Sequence, residues 1–270
     1  MVNNLVTLDK LYNVFKENYN LIPSKKAIIG LSGGIDSSLV AAIAINCLGK
    51  DSVNLYYMPY KTSSEESLTD AKKLCEKFNT NLNIIDITSV ADAFFKLNSV
   101  DTNLRKGNVL SRIRMITLFD EAKKHDGIVI GTTNKTEMLL GYGTWYGDMA
   151  SSINPIGYLY KRDVIRLSKE VGLPESIITK KPTADLWPNQ TDEEELGFTY
   201  DLADDFFYHA IELSKSKEFL YEKFTKEFTD SIIKRVLNNS FKRSLPKILT
   251  YFDKQKNFTE IDKILKNIIE

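Results

Sequence analysis

An apolar run of strand length at residues 27–31 breaks at Ser32-Gly33-Gly34 and gives way to an alanine-rich apolar segment that ends near Gly49. The second segment is too long for a strand, so the pattern reads as strand, turn, helix. Two glycines let the backbone turn tightly and approach a ligand closely. The N–H groups and positive dipole end at the start of the following helix attract an anion such as a phosphate. The common phosphate loop, G-x-x-x-x-G-K-[ST], needs a lysine that is missing here. Asp36 sits in the loop instead, flanked by the hydroxyls of Ser32, Ser37 and Ser38. A carboxylate beside a phosphate repels it unless a cation stands between them, and Mg²⁺ shared by carboxylate and phosphate oxygens is the usual solution. The same residues also fit a plain strand-to-helix turn in which Asp36 and Ser37 are capping groups.

The rest of the chain repeats the alternation. Leu8, Leu11, Tyr12 and Phe15 fall at helical spacing ahead of the first strand. Residues 52–59 read as a second strand, 65–78 as a helix, 81–87 as a third strand and 128–131 as a fourth, reached through a long helix. Strands separated by helices make parallel βαβ units, and such sheets bind ligands beyond the carboxyl ends of their strands. The fold class is therefore α/β with a parallel sheet, flanking helices and, from about residue 200, a helical C-terminal part rich in Phe, Leu and Lys. In the long helix, Val109, Ile113, Ile116, Leu118 and Phe119 supply the expected apolar side, while Arg112 and Arg114 do not share a face. Either arginine can meet a phosphate or serve the helix surface.

A second informative stretch runs over residues 131–161, a glycine-punctuated segment of a length that is usually functional inside an α/β domain. Thr132, Thr133 and Glu137 follow the strand end, placing hydroxyls and a second carboxylate within reach of a nucleotide and its metal; pairing of Glu137 with Lys135 is the ordinary alternative. Asp148 lies in a turn. Lys161 opens a helical pattern, an unfavourable place for a lysine without an anion nearby. Pro182 and Pro188 bracket a stiff segment suited to a lid, and T-D-E-E at residues 191–194 reads as a capping box that starts another helix.

Lys+Arg and Asp+Glu both number 36, a balance that argues against a nucleic-acid surface. Cys47 and Cys75 lie in apolar helical patterns as buried thiols, implying a reducing compartment. The first twenty residues alternate apolar and polar, without a secretory signal or membrane span, so a cytoplasmic protein is expected.

S-G-G-x-D-S at residues 32–37 resembles the pyrophosphate-binding loop of the N-type ATP pyrophosphatases, and the later motifs narrow the likeness. G-T-T-N-K-T-E, Y-G-D, N-P-I-G-x-L-Y-K and K-P-T-A-D-L-W-P-N-Q-T-D-E-E-E-L-G, in this order, resemble the signatures of ammonia-dependent NAD synthetase. The resemblance implies a Rossmann-like fold of the adenine nucleotide alpha hydrolase type. It implies one synthetase domain over residues 1–270, with a core at about 20–185 and a helical part at about 191–270. It also implies amidation of deamido-NAD by ammonia at the expense of ATP, with Mg²⁺, in a homodimer, and with neither nucleic acid nor membrane as partner.

By the same resemblance Gly30, Leu31, Ser32, Gly33, Gly34, Ile35, Asp36, Ser37, Ser38, Thr132, Lys161 and Thr183 are ATP-binding positions. Asp36 and Glu137 are metal ligands; Asn108, Arg112 and Lys242 contact deamido-NAD; Asp148 and Lys161 are catalytic. Three positions depart from the common pattern: Trp145 replaces a lysine, Ser152 an aspartate and Phe241 a histidine, which suggests stacking on Trp145 or Tyr142 in place of charge pairing. With neither cysteine in a nucleophile context, free ammonia is the expected nitrogen donor. Other functions considered on this scaffold are a different adenylating amidotransferase, a tRNA-modifying enzyme and a nucleotide-binding module without catalysis.

Overall fold

A computed structural model describes residues 6–183 and 191–244. The first helix, α1 (Leu8–Asn20), starts at Thr7, whose hydroxyl accepts from the Lys10 amide, and leads into β1 (Lys26–Gly30). There follow α2 (Ile35–Leu48), β2 (Val53–Tyr57), α3 (Glu65–Lys77), β3 (Leu82–Ile84), α4 (Thr88–Leu97), α5 (Asn103–Lys124) and β4 (Gly127–Val129). The four strands form one parallel sheet in the order β3-β2-β1-β4. The chain thus moves from β1 outward to β3 and then crosses back to the other side of β1. A crevice opens where the order reverses, between the carboxyl ends of β1 and β4.

The sheet is covered on both faces, which accounts for the unbroken apolar run in β1. On one face α2 is buried on nearly all sides, from Ile35 to Ile45, and packs with α1, α7 (Lys161–Glu170) and α8 (Glu175–Thr179) around Leu39, Ile43, Leu55 and Leu167. On the other face α4 and α5 close over Ile28, Tyr56, Ala91 and Leu110. A third cluster of Leu140, Tyr200, Phe206, Phe207 and Phe224 joins α6 (Lys135–Leu140) to α9 (Asp192–Leu196), α10 (Tyr200–Phe207), α11 (Lys217–Phe224) and α12 (Lys226–Asn238).

The structure departs from the sequence reading in several places. The third strand is shorter than residues 81–87, because the Asp86 carboxylate accepts from the Thr88 amide and turns the chain into α4, an additional helix. On α5 the buried residues include Leu110, Ile113 and Ala122, whereas Ile116 is 63% and Phe119 40% exposed. The segment 131–161 holds a helix, α6, within its turns. A helix does begin after Thr191, yet the Thr191 side chain makes no capping bond, so the expected capping box is absent there. Cys75 is buried and Cys47 half-buried, both free thiols. The segment read as a lid lies, at residues 184–190, outside the described residues. Among the described residues no helix is long and apolar enough to cross a membrane.

Candidate active site

The loop after β1 is braced from within. The Ser37 hydroxyl accepts from the Ser32 amide (3.2 Å), donates to the Gly34 carbonyl (3.1 Å) and shares a hydrogen bond with the Ser32 hydroxyl (3.0 Å). Gly33 takes φ +80°, and a Cβ there would lie 2.2 Å from the Ser67 carbonyl oxygen, so only glycine allows α3 to close on the loop. No side chain caps α2 at Gly34. Ser37 thus ties the turn together without serving as the cap, and Asp36 turns its carboxylate toward β4.

The chain leaving β4 meets that carboxylate. Asn134 caps α6 in a reciprocal box: its side chain accepts from the Glu137 amide, and the Glu137 carboxylate accepts from the Asn134 amide. The Asn134 amide group also donates to Asp36 Oδ1 at 2.9 Å, fixing the two loops to each other. The ammonium of Lys161, only 3% exposed, lies 2.5 Å from Asp36 and 3.5 Å from Glu137 and over the ring of Tyr200.

Lys161 is placed by backbone capping of its helix. Asp204 of α10, fully buried, accepts from the Arg162 amide (2.8 Å) and from the Thr136 hydroxyl, which in turn accepts from the Lys161 amide (3.1 Å). Asp192 completes the cluster, accepting from the hydroxyls of Tyr142 and Tyr200 at 3.0 Å each. Burial opposes the charge on Lys161, but Asp36 and Glu137 outweigh it and its pKa is raised. Burial also raises the pKa of Asp192.

These groups stand at one side of a cleft of about 1010 Å³ that lies over the carboxyl ends of the sheet. Of the residues singled out by sequence, Gly30, Leu31, Ser32, Gly34, Ile35, Asp36, Ser37, Asn108, Thr132, Glu137, Asp148, Lys161, Thr183 and Lys242 line it. Gly33 acts through the turn, Ser38 is fully buried, and Arg112 is turned aside to donate to the Trp145 carbonyl (3.2 Å). The cleft takes the neighbouring Arg114, which donates to the Met58 carbonyl at 3.0 Å.

Asp148 Oδ1 accepts from the Ser111 hydroxyl (2.6 Å) and the Thr144 amide (2.8 Å). Lys242 donates to the carbonyls of Gly141 and Gly143, satisfying orphan groups beyond α6, and Arg243 does the same for Met138 and Leu139. The departures Trp145 and Phe241 touch each other edge to face, ring centres 5.2 Å apart, and Trp145 also packs on Tyr146 at 4.3 Å. Asn134, Asp192, Tyr200 and Asp204 escape the sequence reading. For Asn134 the N-x-x-E capping pattern was the available signal, whereas Asp192 and Asp204 act across long sequence distances.

The NAD synthase family model matches residues 7–246 of the chain. The chain belongs to the NAD synthase family. An NH(3)-dependent NAD(+) synthetase of Trichlorobacter lovleyi is 48% identical over 228 residues, which cover 84% of each protein. Among solved structures, an NMN synthetase of Francisella tularensis superposes with a TM-score of 0.80 at 31% identity, covering 90% of this chain and 97% of that one. An NH3-dependent NAD synthetase of Campylobacter jejuni, in complex with the nitrate ion, has a TM-score of 0.76 at 34% identity and covers the same shares.

Around the Lys161 ammonium the cleft gathers three carboxyl groups, Asp36, Glu137 and Asp192. Burial first, and then the Asp36 carboxylate, push the pKa of Glu137 up to about 8 from an ordinary 4.5. A raised carboxyl pKa favours the protonated group in the fold, so its stabilising contribution is full below about pH 4.5 and is lost as the pH rises through about 8. The raised pKa of Lys161 acts only above that window. Thermal stability of the ligand-free protein is therefore expected to fall between about pH 5 and pH 9, and Glu137→Gln to flatten the fall. Calorimetric melting without divalent cation checks this; an unchanged slope in the variant would contradict it.

Proposed function

We propose that the protein makes NAD by amidating deamido-NAD with ammonia, spending ATP to AMP and pyrophosphate. The observation that carries the reading is the meeting of the Ser32–Ser37 loop with Glu137 and Lys161 across the β1/β4 crevice. A carboxylate is a poor acyl donor because oxide is a poor leaving group. The nicotinate carboxylate therefore attacks the α-phosphorus of ATP and releases pyrophosphate; ammonia then attacks the acyl carbon and AMP departs. The protein's part is to hold and neutralise phosphates, align the attack and keep water from the adenylate.

In this reading the loop amides and the hydroxyls of Ser32 and Ser37 hold the leaving phosphates, Thr132 and Thr183 contact ATP, and Lys161 balances charge on the reacting phosphate. Asp148, held by Ser111 and Thr144 in the lining of the cleft, orients the incoming ammonia. Asp36 and Glu137 suit Mg²⁺: a hard cation of this kind takes one or two carboxylates and completes its shell with phosphate and water. Among the described residues no group of three or more His, Cys, Asp and Glu is arranged to hold a metal ion. When bound, the ion neutralises phosphate charge beside Asp36.

Purified protein with Mg-ATP, ammonium and deamido-NAD is expected to yield NAD and AMP in equal amounts, and Asp36→Ala to lower turnover by about a hundredfold or more while the fold persists. Near-normal turnover in that variant would refute the role of Asp36. A second acceptor, nicotinate mononucleotide, belongs in the same assay, because the Francisella relative is named an NMN synthetase and Trp145, Ser152 and Phe241 remove charged groups from dinucleotide positions. A higher kcat/KM for the mononucleotide would move the assignment to that substrate.

The family's homodimer has a fitting surface here. Val90, Phe94 and Leu97 on α4 and Leu104, Ile116 and Phe119 on α5 are exposed apolar residues on two helices packed together. We infer that a second copy covers them. Light scattering is expected to give twice the chain mass, and Ile116→Glu to halve it; a monomeric native protein would contradict the inference.

A further inference from the structure

The loop after β1 lacks the lysine of the G-x-x-x-x-G-K-[ST] phosphate loop, and Lys161 faces Asp36 and Glu137. A second cation lies on the opposite flank of the loop. Lys180 lines the cleft together with Ser32, Gly34, Ser63 and Ser67, and its side chain is 12% exposed. Its ammonium donates to the Ser67 hydroxyl at 3.1 Å and lies 3.4 Å from the Asp70 carboxylate. Ser67 is the residue whose carbonyl closes on Gly33, so Lys180 is held one contact away from the turn of the loop.

The anchor is built for the purpose. Asp70 is fully buried on the inward face of α3 and accepts from the Ser176 hydroxyl (2.8 Å) as well as from Lys73 and Lys180 at 3.4 Å. A buried carboxylate with this many donors is costly unless its partners are held, and it constrains where Lys180 can point. The 3.4 Å separation from Asp70 and the single firm bond to Ser67 leave the ammonium hydrogen-bonding capacity on its cleft side.

We propose that Lys180 is the phosphate-binding lysine of this site, supplied from outside the loop, and that it grips the terminal phosphates of ATP and the pyrophosphate that leaves. Asp70 is its positioning residue, acting through Lys180 and Ser67. The inference rests on the adenylating reaction proposed above. It divides the cationic work: Lys161 serves the reacting phosphate beside the carboxylates, and Lys180 serves the leaving group on the α3 side.

The test reads pyrophosphate directly. Titration of magnesium pyrophosphate into the full-length protein, followed by calorimetry, needs no turnover and separates this inference from the reaction assignment. Loss of a charge-assisted contact is expected to weaken pyrophosphate binding about tenfold or more in Lys180→Ala. Lys180→Arg is expected to recover most of it. In steady state, Lys180→Ala raises KM for ATP and leaves KM for deamido-NAD and ammonium within about twofold.

Asp70→Asn is expected to weaken pyrophosphate binding less than Lys180→Ala, and the double variant Asp70→Asn/Lys180→Ala to bind no more weakly than Lys180→Ala alone. Melting temperatures of all variants identify any that fail to fold, and Lys180→Arg keeps the test available if the alanine variant does. Pyrophosphate binding unchanged within about twofold in folded Lys180→Ala would overturn the proposal. So would an equal rise of KM for all three substrates, the mark of a purely structural tie.

Discussion

A buried ammonium shared by two carboxylates is the interaction on which the site depends. Lys161, Asp36 and Glu137 come from three separate elements, and the ammonium is held at its depth by the two carboxyl groups. An isolated charge at this depth costs several kcal/mol, and removing one member of a buried ion pair typically costs about 3–5 kcal/mol. The cluster therefore fixes α2, α6 and α7 relative to one another, with Asn134 and Asp204 supplying the hydrogen bonds that set its geometry. Burial and the Asp36 carboxylate raise the pKa of Glu137, so the crowding of two carboxyl groups on one ammonium is relieved by a proton in the ligand-free fold.

The fold explains why these residues meet. With strands in the order β3-β2-β1-β4, the segments after β1 and β4 leave the sheet side by side, one turning into α2 and the other into α6. The amides of the Ser32–Ser37 loop arrive from the first segment and the second carboxylate from the other. The helical C-terminal part then closes the wall: α10 carries Asp204 and Tyr200 under Lys161, while Lys242 and Arg243 hold the end of α6. The helices after residue 190 thus bear directly on the Lys161 ammonium.

The sequence made the local parts of this legible. A strand followed by Ser-Gly-Gly and an alanine-rich helix has one sensible reading, and so do the other strands bounded by helices. Lys161 at a helix start signalled a missing anion, and the structure places Asp36 and Glu137 there. What could not be read were partnerships without a period. Asp192 looked like helix-start acidity, yet it reaches Tyr142 and Tyr200. The apolar side of α5 was drawn too wide because Ile116 and Phe119 are apolar yet exposed, so hydrophobic patterning overstated what is buried; α4 was missed in the stretch between the third strand and the long helix. Family motifs assign Arg112 to the substrate; α5 turns it to the Trp145 carbonyl and also presents Arg114 to the cleft.

The central claim is that the site activates a carboxylate by adenylation, and oxygen transfer tests it without reference to any single residue. Deamido-NAD labelled with ¹⁸O at both carboxylate oxygens, incubated with the enzyme, Mg-ATP and ammonium, is expected to pass one label to AMP and retain one in the amide of NAD. Mass spectrometry of the products reads both. Label in AMP supports attack of the carboxylate on the α-phosphorus; unlabelled AMP, with the carboxylate oxygen in pyrophosphate or orthophosphate, would contradict the account.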